Sequence, residues 1–480
     1  MAIAPNEKYF EKVTRYHYYF FTCIYLTKLP IFWHVLSLIF ISPPMEYTCK
    51  GPSEGKDACP CDIIEWNRTV FTETMQTKFN MVCEKKWMVS FTQSMMYVGS
   101  LAGALIFGVL SDKMGRKTSF VLSCFVISVA GSLLVMMPTP ITFIVMRLIE
   151  GIGVGGAIVT GYVFLVEFCA TSYRELVTAL FHIPINISHL SLAGVSYLFR
   201  HWEEFQLAVS IPTFLVCLMY WITYESPKWL INIENYPKAT IVMQKIDFND
   251  FSNGDSPEAM KAEMEAYYAA SSRPQVTKIS FWEIFKHKRI TLNLLCMAYI
   301  YFVCGMGYYG VSQYIGKMSG DIHKNVAISG ALLIPGTLAC SYLLTKLGRR
   351  TFLMATTFLS GSFMIVVILI PSDMASTRVL VACICNTFFL MSFIIVFLYG
   401  VELFPTSIRN SVLGLLSVLS RVGMIVAPPI NALPENVSGA IFGSLAIMGS
   451  ALCYPLPETK NVDLPTSLED TKNIRLQLEQ

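Results

Sequence analysis

The chain has 480 residues, 54% of them hydrophobic and only 14% charged, with a mean hydropathy of +0.52. That balance does not fold into one soluble core of this size, so the bilayer is the expected solvent. A formal charge of +3 is too small to indicate a nucleic-acid partner. The absence of a Walker motif, a metal-ligand cluster or a Ser/His/Asp order leaves ATP-driven pumping, a metal site, a cofactor and hydrolytic catalysis without support.

A spanning helix needs about 20 apolar residues. Twelve such stretches follow one another, at 18–41, 88–110, 118–137, 141–162, 175–199, 205–224, 291–313, 326–346, 351–370, 379–400, 411–431 and 438–456. The expected fold is an all-α membrane protein with twelve transmembrane helices in two six-helix pseudo-repeats. Its expected divisions are a cytoplasmic N-terminus (1–17), an N-terminal bundle (18–228) with an external loop (42–87), a cytoplasmic linker (229–290), a C-terminal bundle (291–456) and a cytoplasmic tail (457–480). Tyr, Phe and charged residues fill the first twenty positions, so no cleavable signal is expected and the first span acts as its own insertion signal. Lys28 stands in the middle of that span, just before Pro30. Snorkelling toward an interface is its simplest account.

The loop at 42–87 holds Cys49, Cys59, Cys61 and Cys83 out of fourteen cysteines, which predicts two disulfides in an oxidising space with three pairings open. A zinc site there would want histidine, and none lies nearby. Asn67 opens the sequon NRT in the same loop and is the expected glycosylation site. Basic residues settle the orientation. Lys113, Arg116 and Lys117 lie between the second and third spans, whereas the next turn, PTP at 138–140, has none, so the basic side and both termini face the cytosol.

The charged punctuation occurs twice. SDKMGRK at 111–117 recurs as TKLGRR at 345–350, and Glu167, Arg174 and Glu225 of the first half recur at nearly constant spacing as Glu402, Arg409 and Glu458. This points to duplicated halves with a pathway between them. Asp112, Arg116, Arg147, Glu167 and Arg174, with Glu225, Arg349, Glu402, Arg409 and Glu458, are expected gating charges that bind one another only when the cytoplasmic side is shut. In the fourth span, GIGVGG at 151–156 has the spacing of a dinucleotide loop. No strand precedes it, so it reads as a small-residue stripe for close helix packing, and no nucleotide is expected. His182 and His189, seven residues apart in the fifth span, read first as helix-to-helix hydrogen bonds and second as a proton relay. SPEAMKAEMEAYYAA at 256–270 predicts a short linker helix.

With GVLSDKMGRK, YESPKWLI at 224–231, VELFPTSIRNSVLGLLSVLSRVG at 401–423 and WNRTVFTETMQTKFNMVC ahead of the second span, the chain resembles the major facilitator superfamily and, within it, the organic cation and anion transporter family. The resemblance runs from about Arg15 to Lys460. It implies a cavity between two six-helix halves that rock to give alternating access. Arg421 resembles the arginine typical of anion and zwitterion carriers. The tenth-span position that often carries a cation in that family is Asn386 here, while GYVFLVEF at 161–168 and IPTFLVCLMYW at 211–221 resemble the cation carriers.

Arg421 falls near the middle of the eleventh span, where an arginine costs roughly 2.5–3.5 kcal/mol on insertion scales and should meet a wet cavity or a partner. The expected substrate site is Arg421 with Tyr308, Tyr309, Tyr162, Asn386 and Lys28, the tyrosines offering faces to a cation or an aromatic ring. The expected function is a facilitative or secondary active carrier of small organic ions, cationic, anionic or zwitterionic, as a plasma-membrane monomer. The alternatives are a receptor or scaffold that keeps the fold, and a sugar carrier of the same superfamily.

Overall fold

The computed structural model describes residues 13–50, 55–56, 59, 61, 63–246, 262, 266, 285–460 and 462. The expected linker helix at 256–270 lies outside them apart from Ala262 and Ala266. The first half runs α1 (Arg15–Leu36), α2 (Trp87–Met114), α3 (Arg116–Leu133), α4 (Pro140–Glu167), α5 (Thr171–Leu180), α6 (Ile183–Leu198), α7 (Trp202–Val216), α8 (Pro227–Asn232) and α9 (Tyr236–Ile246). The second runs α10 (Lys288–Lys317), α11 (Ile322–Lys346), α12 (Arg349–Leu369), α13 (Ala375–Leu403), α14 (Thr406–Asn431) and α15 (Glu435–Cys453).

Eleven helices among the described residues are long and apolar enough to cross a membrane. The shortfall from twelve lies in the fifth predicted span, which is broken into α5 and α6 at Phe181 and His182. Pro184 sits just past the break. Its ring clashes with the carbonyl four residues earlier, at Leu180, and it donates no N–H, so the helical ladder cannot continue.

The segment before α2 departs from the all-α expectation. Short strands β1 (Tyr47–Lys50), β2 (Gly55–Lys56) and β3 (Ile63–Trp66) form an antiparallel sheet in the order β2-β1-β3. Disulfides Cys49–Cys61 and Cys59–Cys83 tie it down. We call this end of the bundle the disulfide end and the opposite one the charged end.

Each half packs around its own helix crossings, and the halves meet where α2 lies against α14 and α6 against α11. The glycines of GIGVGG serve the crossing of α2 and α4. A Cβ at Gly151 would stand 2.1 Å from Met96 O, and one at Gly155 1.9 Å from Ser100 O. Backbones this close admit no side chain, which accounts for the motif without a ligand.

Candidate functional site

At the charged end the two halves build the same cluster. In the first, Gly115 turns the chain from α2 into α3 at φ +99, a conformation that favours glycine. A Cβ there would sit 2.4 Å from Glu225 Oε2. Glu225 Oε1 accepts the backbone N–H groups of Arg116, Lys117 and Ser226, each at 2.9 Å. The carboxylate thereby caps the positive end of α3. Burial raises the carboxyl's pKa above its ordinary value, opposed by the N–H groups of Lys117 and Ser226. The Arg116 side chain reaches Asp112 Oδ1 at 2.5 Å and Glu167 Oε1 at 3.0 Å.

The second half repeats this with Glu458, whose Oε1 accepts the Arg349 and Arg350 N–H groups at 2.5 and 3.3 Å. Arg349 Nε meets Glu402 Oε1 at 3.3 Å, and Thr459 Oγ1 donates to Glu402 Oε2 at 2.6 Å. Arg409 Nε donates to Phe404 O at 3.0 Å. Arg174 Nε has no hydrogen-bond partner among the described residues.

The gating expectation is corrected on two counts. Arg147 is not part of the cluster, because it sits deep in the first half, fully buried, with Nη1 on Glu150 Oε2 at 2.8 Å and Ser37 Oγ at 3.1 Å. The other Glu150 oxygen meets His34 Nδ1 at 2.5 Å and Gln206 Nε2 at 3.3 Å. This network, drawn from α1, α4 and α7, was not foreseen, although the Arg147–Glu150 spacing inside an apolar span was its visible sign. The second correction is that each named pair at the charged end lies within one half, so in this structure none of them ties the halves together.

What joins the halves lies from mid-depth toward the disulfide end. Asn186 Nδ2 donates to Leu333 O at 3.1 Å and Thr337 Oγ1 at 2.6 Å, Gln313 Nε2 to Tyr97 Oη at 2.9 Å, and Ser94 Oγ to Ile425 O at 2.8 Å. Nearer the end, the His323 ring packs on Phe40 and Phe71 with centroids 5.6 and 5.4 Å apart, and Nε2 lies 3.3 Å from Ser196 Oγ. Below this seal a small cavity sits between the halves, lined by Val35, Met96, Tyr97, Val154, Tyr309 and Met424.

The predicted substrate residues divide. Tyr309 lines the cavity, with its ring 4.9 Å from Tyr308 and 5.9 Å from Tyr97. Arg421 stands beside Tyr309, half-buried, with Nη1 donating to Ser417 Oγ at 2.5 Å. No carboxylate among the described residues pairs with it. Asn386 does not line the cavity. It is fully buried in the second half, with Nδ2 donating to Ser312 and Ser329 at 3.1 and 3.2 Å.

Lys28 and Tyr162 form a separate group in the first half. Lys28 does not snorkel. It is 0% exposed, its Nζ lies 4.4 Å over the Phe181 ring and it has no hydrogen-bond partner among the described residues. Tyr162 packs edge-on against the same ring at 5.4 Å. The hydrogen bonds expected of His189 are also missing, since neither ring nitrogen has a partner among the described residues, and His182 is the N-cap of the same helix. Asn67 is exposed, as its sequon requires.

The comparisons agree with this architecture. Residues 62–467 match the family model "Sugar (and other) transporter". Solute carrier family 22 member 3 of Rattus norvegicus is 28% identical over 88% of this chain and 76% of its own length. The organic cation transporter protein of Drosophila melanogaster is 28% identical over 88% and 78%. Among solved structures, the inward-open xylose transporter XylE of E. coli superposes with a TM-score of 0.70 at 16% identity, covering 93% of this chain and 98% of that one. The chain therefore belongs to the sugar (and other) transporter family, a multi-pass membrane transporter of the major facilitator fold.

Proposed function

We propose that the protein is a monomeric plasma-membrane carrier of small organic ions that works by alternating access, and that its substrate carries a negative group received by Arg421. The observation that carries this reading is an arginine beside the inter-half cavity with no carboxylate partner among the described residues. It lies about 22 Å along α14, and such a cation needs a compensating anion or water at that depth. Charge balance supports the same sign. The fully buried acid Glu150 is already engaged by Arg147 and His34, which leaves it little to attract a cation. The name of the Drosophila melanogaster relative favours a cation, and the Tyr308–Tyr309 pair offers faces to one.

Basic residues at the charged end and disulfides at the other support a cytosolic charged end and cytosolic termini. The bonds joining the halves at the disulfide end support a state closed to the outside. The test is uptake of a radiolabelled quaternary amine, an aromatic carboxylate and carnitine by cells expressing the protein or its Arg421→Ala variant at matched surface level. Carboxylate or carnitine uptake that disappears in the variant is expected. Uptake indifferent to Arg421, or confined to the amine, overturns the reading.

A further inference from the structure

A second, partly open cavity lies nearer the disulfide end, walled by Ser42, Ser90 and Gln93 from the first half and Gln313, Lys317 and Pro428 from the second. Its polar groups are incompletely used. Lys317 Nζ donates to Asn431 O at 3.1 Å and pairs with no carboxylate among the described residues, leaving two of an ammonium's three donors for a ligand. Lys86 adds a second positive charge close enough to act on it. Gln93 is 1% exposed and donates through Nε2 to Val35 O at 3.2 Å, while its Oε1 has no partner among the described residues. An acceptor orphaned at such burial is costly unless something donates to it.

We propose that this cavity binds a small carboxylate that also carries an O–H or N–H donor. Lys317 receives the carboxylate and Gln93 Oε1 the donor. The two ammonium groups disfavour an amine cation, and a neutral polyol would leave Lys317 uncompensated. The site is distinct from the one at Arg421, because the Gln313–Tyr97 hydrogen bond stands between the two cavities: Gln313 lines this one and Tyr97 the central one.

The full-length protein in lipid nanodiscs is titrated with radiolabelled lactate and propanoate, which differ by one hydroxyl. Lactate binds more tightly than propanoate. Lys317→Gln weakens both by about tenfold or more, Gln93→Leu erases the difference between them, and Lys317→Arg, the folding control, retains binding. Lactate binding that persists in Arg421→Ala and is lost in Lys317→Gln belongs to this cavity, whereas carnitine and aromatic carboxylate uptake by Arg421→Ala reports the central-site reading separately. The proposal is overturned if lactate shows no saturation below about 10 mM, if Lys317→Gln binds it normally, if propanoate binds as tightly in the wild type, or if Arg421→Ala abolishes binding.

Discussion

Replacing Glu150 by alanine should destabilise the first half severely. Glu150, Arg147 and His34 are each 0% exposed, so none of the three can turn to water when a partner is lost. The carboxylate accepts from Arg147 at 2.8 Å, His34 at 2.5 Å and Gln206 at 3.3 Å. Its removal leaves the Arg147 guanidinium with Ser37 Oγ alone, since Nε and Nη2 already have no partner among the described residues. Breaking a buried pair by deleting one member costs about 3–5 kcal/mol, because the survivor is an uncompensated buried charge, whereas replacing both by apolar groups of similar volume is often neutral. The double variant Arg147→Met/Glu150→Leu should therefore recover most of the loss. Tryptophan fluorescence during unfolding in mixed SDS micelles measures both. A loss below about 1 kcal/mol for Glu150→Ala, typical of exposed pairs, or a double variant no better than the single one, refutes the reasoning.

The repeated helix caps predict matched phenotypes: Glu225→Gln and Glu458→Gln should lower surface expression or uptake to similar extents, and a strong effect of one with none of the other would break the equivalence. Non-reducing peptide mapping should recover the linkages Cys49–Cys61 and Cys59–Cys83 and neither alternative pairing. Asn67→Gln should abolish the mobility shift that a glycosidase produces in protein from mammalian cells.

The duplication and most spans were legible because composition and charge spacing report them directly. A spanning helix needs only an apolar run, and the recurrence of Arg116 at Arg349 and of Glu225 at Glu458 marks equivalent turns. The depth of a side chain did not imply the direction it faces. Asn386 and Arg421 both fall inside spans, yet one is consumed by Ser312 and Ser329 while the other stands beside the cavity. The path's tyrosines divide likewise: Tyr309 lines it and Tyr162 packs on Phe181. Helix rotation decides such cases, and it is set by packing between neighbours. The break at Phe181 was visible in Pro184, whose steric demand outweighs the apolar run around it.

The distribution of interaction types follows from what an alternating-access bundle must do. Within each half the ties are charged and capped, as between Arg116 and Glu167 or Arg349 and Glu402. Hydrogen bonds to charged groups contribute about 1.5–3 kcal/mol each. Across the halves the named ties are neutral amides, hydroxyls and ring contacts, among them Gln313 to Tyr97, Asn186 to Thr337 and His323 on Phe40. Each neutral bond contributes about 0.5–1.5 kcal/mol, so three or four of them hold the disulfide end with only a few kcal/mol, and opening restores their partners to water. Had the latch been built from buried ion pairs, each opening would strand or rehydrate charges within the bilayer. A transporter can repeat the first kind of rearrangement in every cycle, which is why the strong charges belong inside the moving bodies and the weak contacts between them.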